Sequence, residues 1–274
     1  MIYTMEDIAI VGRKTFFIAP VTEQMPETNL ERLLSHGYEA YCIADDGICS
    51  LQKKVEAIID LFPGSILFFH VDSMVSGIDW KSYIKQLCGA NRDVKIGITY
   101  AARESGKERS AIEDYYSNEA RVSCGTLAFT SDKDGNYELI LSTLAHAGAR
   151  GRRDIIRATC DSSSEARFPI ATARIKDVNK SYFCCLFDKE QTSFHIYERF
   201  HNITMNINGM SFVSDAVLIM KHIRDGVNTY IFMFVREDGS TNLEQDQKQK
   251  LNKKIYQVIT GERIRLMNDT FSKK

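Results

Sequence analysis

Arginine is concentrated at one place in the chain, where Arg150, Arg152, Arg153 and Arg157 lie within eight residues. A guanidinium group is planar and permanently charged, so it can bind a phosphate through two hydrogen bonds, stack on a purine and donate to the O6/N7 edge of guanine. A glycine-containing linker precedes the cluster, and the last arginine begins a strand-like segment. The cluster could therefore enclose a small guanine nucleotide, and the alternative is a solvated basic linker.

The order of these arginines has a parallel in a known family. The segment Arg152-Arg153-Asp-Ile-Ile-Arg157 resembles the arginine motif (R-x-x-x-R, usually with an extra leading Arg) that opens PilZ domains. Those domains are small six-stranded barrels that bind the bacterial second messenger cyclic di-GMP. The resemblance extends from about Arg150 to Met267, which is under half of the chain.

A second PilZ motif, D/N-x-S-x-x-G, has a partial counterpart further along the chain. The stretch Asp177-Val-Asn179-Lys-Ser181-Tyr182 begins twenty residues after Arg157. Its acidic position matches at Asp177, whereas asparagine stands at the serine position and tyrosine at the glycine position. Asparagine can still accept and donate hydrogen bonds, although its side chain is longer. The tyrosine ring either blocks the pocket or offers a stacking face.

The PilZ resemblance implies a function and a set of binding residues. We expect a bacterial effector that binds cyclic di-GMP at a domain junction. It relays binding by changing domain arrangement or by engaging an unidentified protein partner, such as motility or signalling machinery. The alternative is a PilZ-like scaffold that has lost nucleotide binding and acts through protein–protein contacts. The implied ligand-binding residues are Arg152, Arg153, Arg157, Asp177, Asn179 and Ser181.

A single aspartate in the first half of the chain also has a family parallel. The segment Val71–Asp79 resembles the D-x-M-M-P-G-M-D segment of response-regulator receiver domains, in which the first aspartate accepts a phosphoryl group. Asp72 stands at that position, and Thr99 matches the Thr/Ser switch residue of the family. The resemblance covers roughly Lys14 to Ser131 and implies a receiver-like α/β fold.

The residues that would support phosphoryl transfer are missing from this segment. Receiver domains hold Mg²⁺ with acids at the end of the first strand, and Mg²⁺ prefers oxygen ligands. Ile18-Ala19-Pro20 occupies that place, and Gly125–Ser131 contains no lysine for the fifth strand. We therefore expect a degenerate receiver that takes up no phosphate and binds no metal, with Asp72 capping a turn.

The elements that must position these residues change character along the chain. Strand-like and helix-like segments alternate in the first half, which is typical of a parallel sheet with helices on both faces. The predicted helices are Thr28–His36, Leu51–Leu61, Trp80–Leu87 and Asn136–Ala147. The predicted strands are Lys14–Ala19, Ala40–Ala44, Ser65–Val71, Val94–Thr99 and Gly125–Thr130.

Apolar residues alternate with polar ones beyond Arg150, which indicates antiparallel strands. Ala216–Ile223 and Thr229–Val235 are separated by a turn at Asp225-Gly226, and an amphipathic helix begins near Leu243. We expect an α/β domain over 1–135, a helix and arginine-rich hinge over 136–151, and a PilZ-type barrel with a C-terminal helix over 152–274. The predicted fold is therefore α/β plus all-β.

Composition excludes several function classes. Apolar residues make up 44% of the chain, which is ordinary for a globular protein, and the net charge of −1 argues against a bulk binder of nucleic-acid polymers. No run approaches the ~18 apolar residues of a membrane span. The seven cysteines follow no disulfide framework, so we expect reduced thiols and a cytoplasmic location.

Motifs for catalysis are also missing from the sequence. It contains no Walker loop, G-x-G-x-x-G, G-x-S-x-G or H-E-x-x-H segment. His70 and Asp72 could offer two metal ligands on one strand face, but no third is identifiable. Cys184 and Cys185 are adjacent, point to opposite faces of a strand and are expected to serve packing. We therefore expect a protein that is not an enzyme.

Overall fold

The structure is a computed structural model that describes residues 12–22, 24–90, 92–102, 106–151, 157–224 and 227–273. The chain divides into two compact units. The first comprises Met1–Asp154 together with Ile264–Lys274, and the second comprises Ile155–Arg263. The predicted turn at Asp225-Gly226 lies outside the described residues. No helix in the described ranges is both long and apolar enough to cross a membrane.

A five-stranded parallel sheet forms the centre of the first unit, as the alternating pattern predicts. Its strand order is β2-β1-β3-β4-β5, and every pairing is parallel. This is the doubly wound order of flavodoxin-like and receiver-like sheets, in which helices cover both faces. The strands are β1 (Thr15–Ile18), β2 (Ala40–Ile43), β3 (Ile66–His70), β4 (Lys95–Ala101) and β5 (Thr126–Phe129).

The helices of this unit follow the strands in turn. Three of them begin at side-chain caps: Ser50 accepts a hydrogen bond from the amide of Lys53, and Asp79 and Asp132 each accept from amides that follow them. The helices are α1 (Glu27–Ser35), α2 (Leu51–Leu61), α3 (Trp80–Gly89), α4 (Gly106–Asp114) and α5 (Lys133–His146).

Helix α4 is absent from the sequence prediction, and its residues show why. It is mostly polar along its length, so the apolar spacing that marks the other helices is weak there. It continues into a π-helical turn over Tyr115–Glu119, in which Tyr116 is buried. Wide turns of this kind are rare and occur often at functional sites.

The sheet is the core of the first unit, and the helices bury it from both sides. All five residues of β3 are buried, because a central parallel strand is covered on both faces. The last helix of the chain, α6 (Gln245–Phe271), also contributes to this core. Its residues Met267 and Phe271 are 2% and 4% exposed and pack with the sheet residues.

The described end of the predicted 136–151 segment contacts the residues that precede β1. Ala149 is fully buried, and its carbonyl accepts a hydrogen bond from the amide of Arg13 at 2.9 Å. Gly12 approaches so closely that a Cβ on it would stand 2.1 Å from the oxygen of Ala149. Only glycine fits at this contact, which ties the segment after α5 to the strand that follows Gly12.

The second unit is a closed antiparallel barrel of six strands, the architecture implied by the sequence resemblance. The strand order around the ring is β8-β7-β10-β11-β12-β9, and the ring closes where β9 pairs with β8. The short strand β6 pairs with the end of β8, on the same edge of β8 that pairs with β7 further along. The strands are β6 (Ala158–Thr159), β7 (Glu165–Arg167), β8 (Thr172–Val178), β9 (Tyr182–Phe187), β10 (Arg199–Ile207), β11 (Met210–Arg224) and β12 (Val227–Val235).

Aromatic side chains fill the interior of the barrel. Phe183 and Phe232 stack with ring centroids 5.2 Å apart, and Phe168 contacts Phe232 at 4.9 Å. These rings are almost fully buried. Phe183 and Phe232 come from the inward faces of β9 and β12, and Phe168 comes from the connection between β7 and β8. The N-terminal part of α6 packs Leu251 and Ile255 against the same core.

Candidate ligand-binding site

Two of the predicted binding residues meet at one end of the barrel. β6 pairs with the end of β8, with Thr159 opposite Asp177, and Arg157 lies two positions before Thr159. The Arg157 guanidinium donates a hydrogen bond to Asp177 Oδ1 at 3.2 Å. The two side chains are 36% and 21% exposed, so the pair lies at the surface with donors and acceptors left for a ligand.

An irregularity in β8 sets the position of Asp177. The register with β9 shifts between Ile175 and Asp177, so the strand contains a bulge there. Ala173 and Ile175, two positions apart, face the barrel interior. The next inward-facing residue is Val178, which is three positions further along instead of two. Bulges re-aim side chains and are common beside binding sites. This one keeps the Asp177 carboxylate on the outer surface beside Arg157.

Asn179 and Ser181 build the turn that joins β8 to β9. Asn179 is 3% exposed, and its Oδ1 accepts hydrogen bonds from the amides of Ser181 and Tyr182, both at 2.8 Å. This is the local asparagine turn that mimics a backbone turn. The Ser181 hydroxyl donates to Asn242 Oδ1 at 3.1 Å. The Asn179 oxygen therefore serves the backbone, while Asp177 is the motif residue that contacts an arginine.

Apolar side chains adjoin the pair on the outer face of the barrel. Cys184 stands opposite Asp177 on one side and opposite Ile231 on the other, and Tyr182 stands opposite Met233. Tyr182, Ile231 and Met233 are partly buried. A half-buried tyrosine next to a charged pair offers a stacking face to a planar ligand.

The cysteines near Asp177 are not reactive thiols. Burial, reinforced by the negative charge of Asp177, raises the pKa of Cys184 to about 11 and that of Cys160 to about 12. Cys185 is fully buried in the barrel interior, on the face opposite to Cys184. A thiol with such a high pKa stays protonated at neutral pH, so these residues act as small packing groups.

The two remaining arginines of the predicted site, Arg152 and Arg153, lie outside the described residues. The described part of the site is therefore Arg157 with Asp177, supported by the turn at Asn179 and Ser181. The sequence contains a sign of this bulge. Apolar residues at 173, 175 and 178 break the two-residue alternation that a regular strand would show.

The receiver-like position in the first unit has a different environment. Asp72 Oδ2 accepts a hydrogen bond from the amide of Ala101 at 2.7 Å, and Thr99 Oγ1 lies 3.1 Å from His70 Nδ1. Ala19 adopts a left-handed conformation, and its carbonyl accepts from the Ser73 hydroxyl. Among the described residues no three His, Cys, Asp or Glu side chains cluster to hold a metal.

Comparisons with known proteins find likeness in structure only. No family model and no curated protein matches the chain. Escherichia coli YcgR in complex with c-di-GMP is 20% identical over 43% of this chain and 50% of its own, with a TM-score of 0.35. The Bacillus subtilis inhibitor of motility MotI/DgrA is 8% identical over 41% of this chain and 53% of its own, with a TM-score of 0.34. The K. pneumonia MrkH–c-di-GMP complex is 12% identical over 43% of this chain and 57% of its own, with a TM-score of 0.34. The chain thus spans about half the length of each of these structures.

Proposed function

We propose that the barrel binds cyclic di-GMP at the end of β8, through Arg157 and Asp177 together with Arg152 and Arg153. The observation that carries the proposal is the contact between Arg157 and Asp177. The arginine motif and the acidic motif are twenty residues apart in sequence, and their side chains are 3.2 Å apart in the structure.

The chemistry of this pair suits a guanine nucleotide. A carboxylate can accept from the N–H groups on the guanine edge, and a guanidinium supplies several donors for phosphate oxygens. The hydrogen bond to Asp177 uses one terminal nitrogen of Arg157, and the remaining donors are available to the ligand. Arg152 and Arg153, five and four residues earlier in the chain, would supply further charge for the phosphates.

The residues that depart from the family motif receive distinct roles in this proposal. Asn179 and Ser181 hold the β8–β9 turn and thereby the position of Asp177. Tyr182, in place of glycine, provides a stacking face for a base rather than an obstacle. Base–aromatic stacking contributes about 1–3 kcal/mol per base.

The response to binding is proposed to be a changed domain arrangement or a changed affinity for a protein partner in motility or signalling. The chain acts as a cytoplasmic receptor and not as an enzyme. The second candidate is a scaffold that has lost nucleotide binding, and the tyrosine at the glycine position is the observation that favours it.

Titration calorimetry with cyclic di-GMP separates the two candidates. Loss of one charge-assisted hydrogen bond costs about 1.5–3 kcal/mol, so Arg157→Ala is expected to weaken binding roughly ten- to hundredfold. Arg153→Ala is expected to have an effect of the same order. Arg174→Ala is the matched control, because Arg174 is an exposed arginine on the outer face of β8, the strand that carries Asp177. If the wild-type chain gives neither heat nor chemical-shift changes, the scaffold function is correct.

A further inference from the structure

A cavity of about 730 Å³ opens in the first unit beside the carboxyl end of β3. Its walls are largely apolar and include Val75, Ile78, Trp80 and Ile112. This volume is within the range of about 300–1,000 Å³ that is usual for small-ligand sites. Met74 at its edge is fully exposed to solvent. The proposed nucleotide site in the barrel makes no use of this cavity.

A buried polar group faces the cavity. Tyr116, from the π-helical turn after α4, lines it and is only 2% exposed. Its hydroxyl makes no hydrogen bond to any part of the chain that the structure describes, whereas the hydroxyl of Tyr100, nearby in sequence, donates to Glu113 at 2.8 Å. Since Tyr116 lines the open cavity, solvent or a ligand there supplies the hydrogen-bond partner of its hydroxyl.

The charge around this hydroxyl is negative. Asp72 and Asp79 are among the residues that line the cavity, and the Asp79 carboxylate also caps α3. Burial, with added contributions from Tyr115, Asp79 and Asp72, raises the pKa of Tyr116, so the phenol stays neutral and can donate or accept a hydrogen bond. Lys81 is the cation of the lining, and its Nζ stands over the ring of Tyr115, 5.0 Å from the centroid.

The donor set does not suit a bare metal ion. Mg²⁺ and Ca²⁺ are usually held by several carboxylates, and no three His, Cys, Asp or Glu side chains cluster in the described ranges. The apolar walls favour a ligand with an aliphatic chain. The negative charges of Asp72 and Asp79 favour a positively charged group at one end of that chain, where it keeps part of its hydration shell. Tyr116 and Trp80 add aromatic surface, which attracts organic cations more than it attracts anions.

We propose that this cavity binds an organic cation with an aliphatic stem, an alkylammonium or alkylguanidinium group. The stem lies along Ile78, Trp80 and Ile112, and the head group lies near Asp79 and the Tyr116 hydroxyl. Such a group is present in a free amine and in a lysine or arginine side chain of a partner protein.

The single tryptophan of the chain, Trp80, is part of the cavity wall and reports its occupancy. Pentylammonium chloride is titrated into the full chain at constant ionic strength while the emission of Trp80 is recorded. Pentan-1-ol and sodium pentanoate match its stem and lack its positive charge. We expect a saturable change with pentylammonium, with a midpoint at least about fivefold below that of pentan-1-ol, since a charge-assisted contact is worth at least one ordinary hydrogen bond.

Two variants test the head-group contacts without removing the walls. Tyr116→Phe and Asp79→Asn are each expected to raise the midpoint for pentylammonium about three- to fivefold and to leave that of pentan-1-ol unchanged. Asparagine retains the helix cap at position 79. Asp188→Asn, at an exposed acid in the barrel unit, is the control for loss of charge alone.

Three results would overturn the proposal. The first is a change in Trp80 emission that does not saturate with pentylammonium. The second is an equal midpoint for pentylammonium and pentan-1-ol, which would mean that the cavity binds apolar chains without regard to charge. The third is saturation by MgCl₂ below the pentylammonium midpoint, which would mean a metal site. A lysine-centred alanine pentapeptide then identifies the source. If this pentapeptide binds more tightly than pentylammonium, the ligand is a side chain of a protein partner. If it binds more weakly, the ligand is a free amine. Either result supports binding of an organic cation.

Discussion

The two units each carry an aspartate at a strand end that matches a family motif, and their neighbours differ. Asp72 follows β3 and accepts a hydrogen bond from the backbone amide of Ala101. Asp177 lies in the bulge of β8 and accepts from the side chain of Arg157. Asp72 therefore has a backbone amide as a neighbour, whereas Asp177 has a permanently charged guanidinium.

This difference shows that the hydrogen-bond partner of each aspartate is set by the element beside it. At the first site the neighbouring strand β1 ends at Ile18 and is followed by Ala19, and neither side chain carries an oxygen. At the second site Arg157, the residue before β6, has its guanidinium within hydrogen-bonding distance of Asp177. We therefore expect a structural role for Asp72, while the proposed nucleotide site depends on the charged pair at Asp177.

The largest expected effect comes from removing the barrel aspartate. Asp177→Ala deletes the acceptor for a guanine edge and the group that orients Arg157, so cyclic di-GMP affinity should fall about ten- to hundredfold. Titration calorimetry measures the change, and Asp188→Ala, at an exposed acid outside the site, is the control. Unchanged affinity in Asp177→Ala would place the nucleotide elsewhere.

Removing the proposed stacking face should have a smaller effect. Tyr182→Ala is expected to weaken cyclic di-GMP binding about fivefold, at the lower end of the range for base stacking on an aromatic ring. Tyr182→Phe keeps the ring and should bind like the wild type. An increase in affinity on Tyr182→Ala would mean that the ring obstructs the pocket.

The aspartate of the first unit should matter for stability instead. Asp72→Ala leaves the amide of Ala101 without its acceptor and is expected to lower the free energy of unfolding by about 1 kcal/mol. Asp72→Asn keeps an acceptor oxygen and should cost less. Urea unfolding followed by Trp80 emission reports this unit. A larger loss for the asparagine variant would show that the charge of Asp72, rather than its hydrogen bond, stabilises the unit.

Acid should weaken the first unit through its buried histidine. Burial lowers the pKa of His70 from its ordinary 6.5, although Asp72 opposes the shift. The folded state therefore holds His70 neutral while the unfolded state takes up a proton, so stability is full above about pH 6.5 and declines below it. The His70→Gln variant should lose less stability between pH 7.5 and 5.5 than the wild type, as measured by urea unfolding at each pH.

No effect is expected from a phosphoryl donor. Intact-mass spectrometry after incubation with acetyl phosphate and Mg²⁺ should show no added phosphoryl group, because β1 ends without the acids that would hold the ion. If the wild type gains one phosphoryl group and Asp72→Asn does not, Asp72 is a phosphoryl acceptor. The contrast between a structural Asp72 and a ligand-binding Asp177 would then be wrong.

Much of the fold follows from patterns that are local in sequence. The fully apolar run before Val71 predicts a central parallel strand, and β3 is buried at every residue. The PilZ resemblance implies that Arg157 and Asp177 share a ligand site, and the two side chains are in contact. Such features depend on periodicity and on residue type, both of which a single sequence displays.

Other features depend on contacts between distant parts of the chain, and the sequence does not display them. Nothing near Gly12 indicates that the backbone of Ala149 lies against it. The weakly amphipathic helix α4 is held by its surroundings, so its own pattern did not predict it, and with it Tyr116 was missed. The packing of Met267 and Phe271 in the core of the first unit is likewise a long-range contact.

That last contact has a consequence for the order in which the protein matures during synthesis. The first unit is translated first, yet its core includes Met267 and Phe271, which leave the ribosome only after all of 155–263 has been made. Domains generally fold as units during translation. Here the barrel can complete its ring while the earlier unit still exposes apolar surface to chaperones and proteases.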